Sequence, residues 1–133
     1  MTTTVASVVL DSQGLSAWVE NDRRVESMLK KFSSARSRLV ISANTIIEVS
    51  HARSNLTRLN WVLSQIRIEP VTEKSAKAAA ALLKEAGVHG HKHAIDATVA
   101  EVALRQPRPV ALLTSDADDL MRLCGDRVGI IPV

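Results

Sequence analysis

Val5-Ala6-Ser7-Val8-Val9-Leu10-Asp11 decides how the rest of the chain is read: an apolar, β-branched run that stops on a carboxylate and passes into Ser12-Gln13-Gly14. So uniform a run fits a strand buried on both faces, as in a parallel sheet. Such a strand delivers its last residue to the C-terminal edge, where open α/β sheets hold their ligands. Asp11 is therefore a candidate site residue. Three other isolated acids, Glu48, Asp96 and Asp116, are expected to converge on it and with it to hold a divalent metal.

Outward from that strand, helical and strand patterns alternate. Leu15, Trp18 and Val19, then Val25, Met28, Leu29 and Phe32 behind Asp22 as a cap, predict two short helices or one kinked pair. Ser37-Arg38-Leu39-Val40-Ile41-Ser42 is a second strand. A helix over residues 44–51 carries Ile46, Ile47 and Val49 around Glu48, and Leu56, Leu59, Leu63 and Ile66 continue at helical intervals. Ile66-Arg67-Ile68-Glu69-Pro70 is a third strand, placed at the sheet edge by its half-polar alternation and closing proline. Thr72 caps a helix with Ala76, Ala79, Ala80 and Leu83 inward and Gly87 at its C-terminal end. His89-Gly90-His91-Lys92-His93 reads as a loop, and Ile95, Val99 and Val102 mark a helix that stops before Gln106-Pro107-Arg108-Pro109. Val110 to Thr114 is a fourth strand, Asp116 to Leu123 a short helix and Val128 to Ile131 a last strand. Continuous apolar strands separated by helices predict a parallel sheet with helices on both faces.

A chain of 133 residues, 46% hydrophobic, is expected to form one domain over residues 1–133. Seventeen Lys and Arg against fourteen Asp and Glu give a net charge of +3, which permits a polyanionic partner without demanding one. The distribution says more. Arg23, Arg24, Lys30, Lys31, Arg36, Arg38, Arg53, Arg58 and Arg67 fall in the first half, where a basic surface is expected. Cys124 is alone, which excludes a disulfide framework and a cysteine-built zinc site and suits a reducing cytosol. The apolar run after Met1-Thr2-Thr3-Thr4 is too short to span a membrane and has no positive leader, so a soluble, cytoplasmic protein without a membrane partner is expected.

Glu48 lies in Ile46-Ile47-Glu48-Val49 and Asp96 in Ala94-Ile95-Asp96-Ala97. An ionised carboxylate among such neighbours costs several kcal/mol unless a cation or donors compensate it. Oxygen-only ligation suits Mg2+ or Mn2+, hard ions that bind phosphate oxygens, activate water and neutralise charge building in a phosphodiester transition state. The implied chemistry is hydrolysis of nucleic acid. Each acid also has a plainer reading. Thr45-x-x-Glu48 and Ser115-x-x-Asp118 fit capping boxes, and Asp11 and Asp116 fit turn or cap positions. Their joint occurrence, after two strands and inside two helices, favours the site.

The succession of strand and Asp11-Ser12, Thr45-Ile46-Ile47-Glu48-Val49, His93-Ala94-Ile95-Asp96-Ala97, then Leu113-Thr114-Ser115-Asp116-Ala117-Asp118-Asp119-Leu120 resembles the PIN-domain family over nearly the whole chain. Within that family it is most similar to the ribonuclease toxins of VapBC-type toxin–antitoxin pairs. The resemblance implies a three-layer α/β/α sandwich with a five-stranded parallel sheet. It also implies a Mg2+- or Mn2+-dependent endoribonuclease acting on RNA, a homodimer, and inhibition by a cognate antitoxin protein. By matching motif, Asp11, Asp96 and Asp116 resemble the family's metal ligands and Glu48 the helix glutamate that binds metal or orients water. Ser12 and Ser115 resemble supporting hydroxyls, and Asp119 a further or outer ligand. Gln13-Gly14 departs from the second small hydroxyl residue that many relatives carry after the first acid.

Other signals are weaker. His89, His91 and His93 alternate as metal ligands sometimes do, but in a glycine-containing loop the ordinary reading is solvated side chains, and His93 is placed to touch substrate or the acid cluster. Glu48-x-x-His51 matches half of a di-iron helix motif whose second copy is missing. Trp18 and Trp61 read as core or interface residues. With 2% aromatic residues, base stacking is excluded as the main mode of RNA binding; basic side chains and metal-bound phosphate remain. Two competing classes stay open: a PIN-fold binding module without catalysis, and a receiver-type phosphoacceptor domain. The second is disfavoured because no lysine follows Val110 to Ser115.

Overall fold

The apolar run that opens the chain forms β1 (Ser7–Leu10), every residue of which is buried. In this computed structural model, which describes residues 4–51 and 53–133, β1 is the middle of five parallel strands. The others are β2 (Arg38–Ser42), β3 (Arg67–Glu69), β4 (Val110–Thr114) and β5 (Gly129–Pro132), and the sheet order is β3-β2-β1-β4-β5. The third strand lies at the edge, as its composition requires. Seven α-helices connect the strands among the described residues: α1 (Ser12–Val19), α2 (Arg23–Ser34), α3 (Ala43–Val49), α4 (Leu56–Leu63), α5 (Glu73–Ala86), α6 (Gly90–Arg105) and α7 (Ala117–Cys124).

Successive strand side chains point to opposite faces, and the core divides accordingly. Val8, Leu10, Leu39, Ile41, Ala111 and Leu113 meet Leu15, Trp18, Val25, Leu29, Val49, Leu59 and Val62 from α1 to α4. Val9, Val40, Val110 and Leu112 meet Val99, Val102, Leu120, Leu123 and Cys124 from α6 and α7, with Leu82, Leu83 and Ala86 of α5 packed behind. Each large aliphatic side chain removed from water contributes about 1.5–3 kcal/mol, so the two faces together make the three-layer α/β/α sandwich. Caps set the helix ends where the sequence places them. Asp22 accepts a hydrogen bond from the Val25 amide, Thr72 and Ser75 cap α5 reciprocally, and Gly87 closes α5 at φ 67°. Cys124 is buried, and burial pushes its thiol up to about 11, so it is inert.

Two local expectations are corrected. α5 buries Ser75 and Ala79 and packs Leu82, Leu83 and Ala86 inward, while Ala76 and Ala80 are exposed. The segment 89–93 is not a loop: α6 begins at Gly90 and bends at His93, whose φ of −114° and ψ of 18° leave the helical region. Of the two tryptophans read as core or interface residues, Trp18 belongs to the core and Trp61 is 49% exposed.

Candidate metal centre

β1 leads onward to β2 on one side and β4 leads to β5 on the other, so the strand order reverses between β1 and β4. Leu10 pairs with Leu113 across that boundary, and the Asp11 amide donates to the Leu113 carbonyl at 3.1 Å. Asp11 and Asp116 therefore leave adjacent strands into one crevice, where α/β sheets open to ligands. Asp11 also caps α1, its Oδ1 accepting from the amides of Gln13 at 2.9 Å and Gly14 at 3.0 Å. A Cβ on Gly14 would lie 3.2 Å from the Leu113 carbonyl oxygen and 3.3 Å from Leu10 Cδ2, so glycine lets α1 rest close over the strand ends. This is what Gln13-Gly14 provides in place of a second hydroxyl.

Glu48 and Asp96 reach the crevice from α3 and α6. The alternative reading of Thr45-x-x-Glu48 as a capping box is not met: Ser42 caps α3 by accepting from the Asn44 amide at 3.3 Å, and the buried Thr45 Oγ1 has no partner among the described residues. Glu48 is thereby free to face the other acids. Asp116 holds the N-cap position of α7 but makes no side-chain cap bond, so the box at Ser115-x-x-Asp118 is likewise absent.

The electrostatics of the acids reflect their proximity. The Asp11 carboxyl is raised above its ordinary pKa by burial first and by the charge of Asp116, against hydrogen bonding to Thr114 and the amides of Gly14 and Gln13. Glu48, although exposed at the surface, is raised by partial desolvation and then by Asp96, Asp11 and Asp116, with Ser12 opposing. Asp96 is raised by burial, then by Asp116 and Asp119, with His93 opposing. Asp11, Glu48 and Asp96, from three separate stretches, are thus each raised in part by neighbouring carboxylates, the charge of Asp116 acting on all three. No lysine or arginine pairs with any of them within 4.0 Å among the described residues. A set of carboxylate oxygens without a protein cation fits a hard divalent ion, which Asp11, Glu48, Asp96 and Asp116 could hold; the donor atoms within 4.8 Å of one another are those of Asp96 with His93 and Asp119.

The supporting residues divide unevenly. The Ser12 hydroxyl lies by Glu48 and opposes the rise in its pKa. Ser115 is exposed, and the hydroxyl turned to Asp11 belongs instead to the buried Thr114, which also accepts from the Asp116 amide at 2.8 Å. Asp119 stands by Asp96 on the first turn of α7, and Asp118 is exposed. Sequence reasoning passed over Thr114, although a hydroxyl closing the strand before an acid was the signal. Of the three histidines only His93 turns inward, its Nδ1 3.6 Å from Asp96 Oδ2 and 3.9 Å from Asp119 Oδ2. The cationic side chains of Arg23, Arg24, Lys30, Lys31, Arg36, Arg38, Arg53 and Arg67 are exposed; Arg58 is partly covered and paired with Glu26 at 2.8 Å.

Residues 8–125 match the family model described as PIN domain, and the chain belongs to the PIN-domain family. Its fold is similar to a chain in the crystal structure of VapBC2 from Rickettsia felis bound to a DNA fragment from their promoter. The TM-score there is 0.73 at 15% identity, over 96% of this chain and 98% of that one. It is also similar to a chain of FitAB bound to an IR36 DNA fragment, with TM-score 0.67 and 19% identity over 94% of both chains. A third likeness is to FitAcB from Neisseria gonorrhoeae, with TM-score 0.63 and 18% identity over 93% of this chain and 96% of that one. None of the curated proteins matches by sequence.

Proposed function

We propose that this protein is a divalent-metal-dependent endoribonuclease that serves as the toxin of a toxin–antitoxin pair, with residues 1–133 forming one nuclease domain. The observation that carries the reading is the meeting of Asp11, Glu48, Asp96 and Asp116 at the strand-order reversal without a lysine or arginine partner. A bound Mg2+ or Mn2+ would supply water activation and neutralise charge at the scissile phosphate. The chain's own residues do the rest. Asp11, fixed by its cap on α1, and Asp116 hold the floor of the crevice. Glu48, oriented by Ser12, and Asp96 close it from the helices, with Glu48 placed to accept a proton from the attacking water. The exposed cations of the first half supply a surface for the RNA backbone, so binding weakens as salt rises.

The likeness to VapBC2 and FitAB, both seen on DNA, supports a cognate antitoxin as partner. A homodimer and cytoplasmic action complete the proposal; no helix among the described residues is long and apolar enough to cross a membrane. Antitoxin-free protein incubated with RNA and Mg2+ or Mn2+ tests the reading. Cleavage that falls by at least about a thousandfold in Asp96→Asn is the expected result. Wild-type protein that binds the ion yet leaves every RNA intact would assign the fold to a binding module instead.

A further inference from the structure

We propose that His93 is a nitrogen ligand of the metal centre, turning a carboxylate site into a mixed one that favours Mn2+ over Mg2+. This rests on the metal-site reading above and adds a residue to it. His93 sits one helical turn before Asp96, so the two share a face of α6, while Asp119 arrives from the first turn of α7. Donor atoms of all three lie within 4.8 Å of one another. The His93 Nδ1 distances of 3.6 Å to Asp96 and 3.9 Å to Asp119 are too long for hydrogen bonds. They do match the separation of two ligands on one ion, since donors each about 2.1 Å from a metal lie up to about 4.2 Å apart. The imidazole is nearly enclosed, with 12% of its side chain exposed, and the bend at His93 breaks the run of histidines so that His89 and His91 stay at the surface.

Imidazole is a better donor to transition-metal ions than to Mg2+, which keeps oxygen ligands and its own waters. Mn2+ is therefore the informative probe. In electron spin-echo envelope modulation of tag-free protein loaded with Mn2+, the wild type should show modulation from a directly bound imidazole 14N. His93→Gln should lose it, and the double variant His89→Gln/His91→Gln should keep it. Calorimetry should show Mn2+ affinity falling about tenfold in His93→Gln, with Mg2+ affinity changing less, so that the Mn2+/Mg2+ ratio drops. If Mn2+ binds with oxygen-only surroundings, His93 only packs beside Asp96 and Asp119; the proposal fails while the carboxylate site stands. If no Mn2+ binds at all, both fail, and the absence of any bound-ion signal marks that outcome.

Discussion

Two buried carboxylates of this protein are treated in opposite ways. Glu69, the last residue of β3, is 7% exposed and is met by Arg105 at 3.0 Å, Arg67 at 2.8 Å and the Gln106 amide at 3.4 Å. Burial alone would raise its pKa, but Arg105, Arg67 and Gln106 together bring it below the ordinary value. Asp11, 4% exposed, has hydroxyl and amide donors but no lysine or arginine within 4.0 Å, and its pKa stays above the ordinary value. The difference separates a structural acid from one held ready for a ligand. At Glu69 the fold supplies the positive charge from its own sequence. At Asp11, Glu48, Asp96 and Asp116 it gathers negative charge and supplies no lysine or arginine, as the proposed metal site requires.

The largest effect comes from exchanging one acid at each place. Asp11→Asn should abolish the stabilisation that Mn2+ confers, which for an ion at a hundred times its Kd is about 2.7 kcal/mol, while leaving metal-free stability unchanged or slightly higher. Glu69→Gln should do the reverse. It keeps the response to Mn2+ and loses about 1–3 kcal/mol of intrinsic stability, toward the low end because the side chains of Arg67 and Arg105 are 56% and 37% exposed. Thermal unfolding of both variants with and without Mn2+ reads the crossing. An equal metal response in Asp11→Asn and wild type would dissolve the distinction.

Much of this arrangement is legible from residues, and the exceptions have physical reasons. The strands are legible because each apolar run is short and, except for Leu39 to Ile41 between Arg38 and Ser42, meets Pro, Gly or an acid at one end, and the four acids stand out because no lysine or arginine nearby neutralises them. Glu69 hides its role because Arg105 and Gln106 lie 36 and 37 residues away, a pairing made by folding. The start of α6 is hidden because His89-Gly90-His91-Lys92-His93 carries no apolar period. The face of α5 is blurred by five alanines over residues 76–81 that give no periodic contrast. Thr114 and Ser115 offer two adjacent hydroxyls, and only the pleat of β4 decides which one turns inward.

Proton linkage gives the next effect in size. Asp11, Glu48 and Asp96 have folded pKa values raised above the unfolded ones, so the folded state holds more protons than the unfolded chain above about pH 4. Their contribution to metal-free stability is present in acid and is lost as pH rises through the raised values. Glu69 has a lowered pKa, so its contribution is present above about pH 4 and is lost as pH falls through the folded value. Metal-free Asp11→Asn/Asp96→Asn should therefore lose less stability than wild type on going from pH 4 to pH 7. Glu69→Gln should lose less on acidification. Denaturant melts across that range, run with chelator, check both slopes, and parallel curves for wild type and the double variant would show that the acids do not feel one another.

The smallest effect tests how finely the acid crevice is tuned. The Ser12 hydroxyl lies by Glu48 and opposes the rise in its pKa, whereas Ser115, one residue before Asp116, is exposed. A hydroxyl that stabilises the ionised form of a metal ligand strengthens binding through that ligand. Ser12→Ala should weaken Mn2+ binding by about tenfold or less, because Glu48 is itself partly solvated, and should change stability by no more than about 0.5 kcal/mol. Ser115→Ala should leave the affinity unchanged. Calorimetric titration of the two variants side by side decides the matter: equal losses would mean that Ser115 acts on the ion as Ser12 does, and no loss in either would place Glu48 outside the coordinating set.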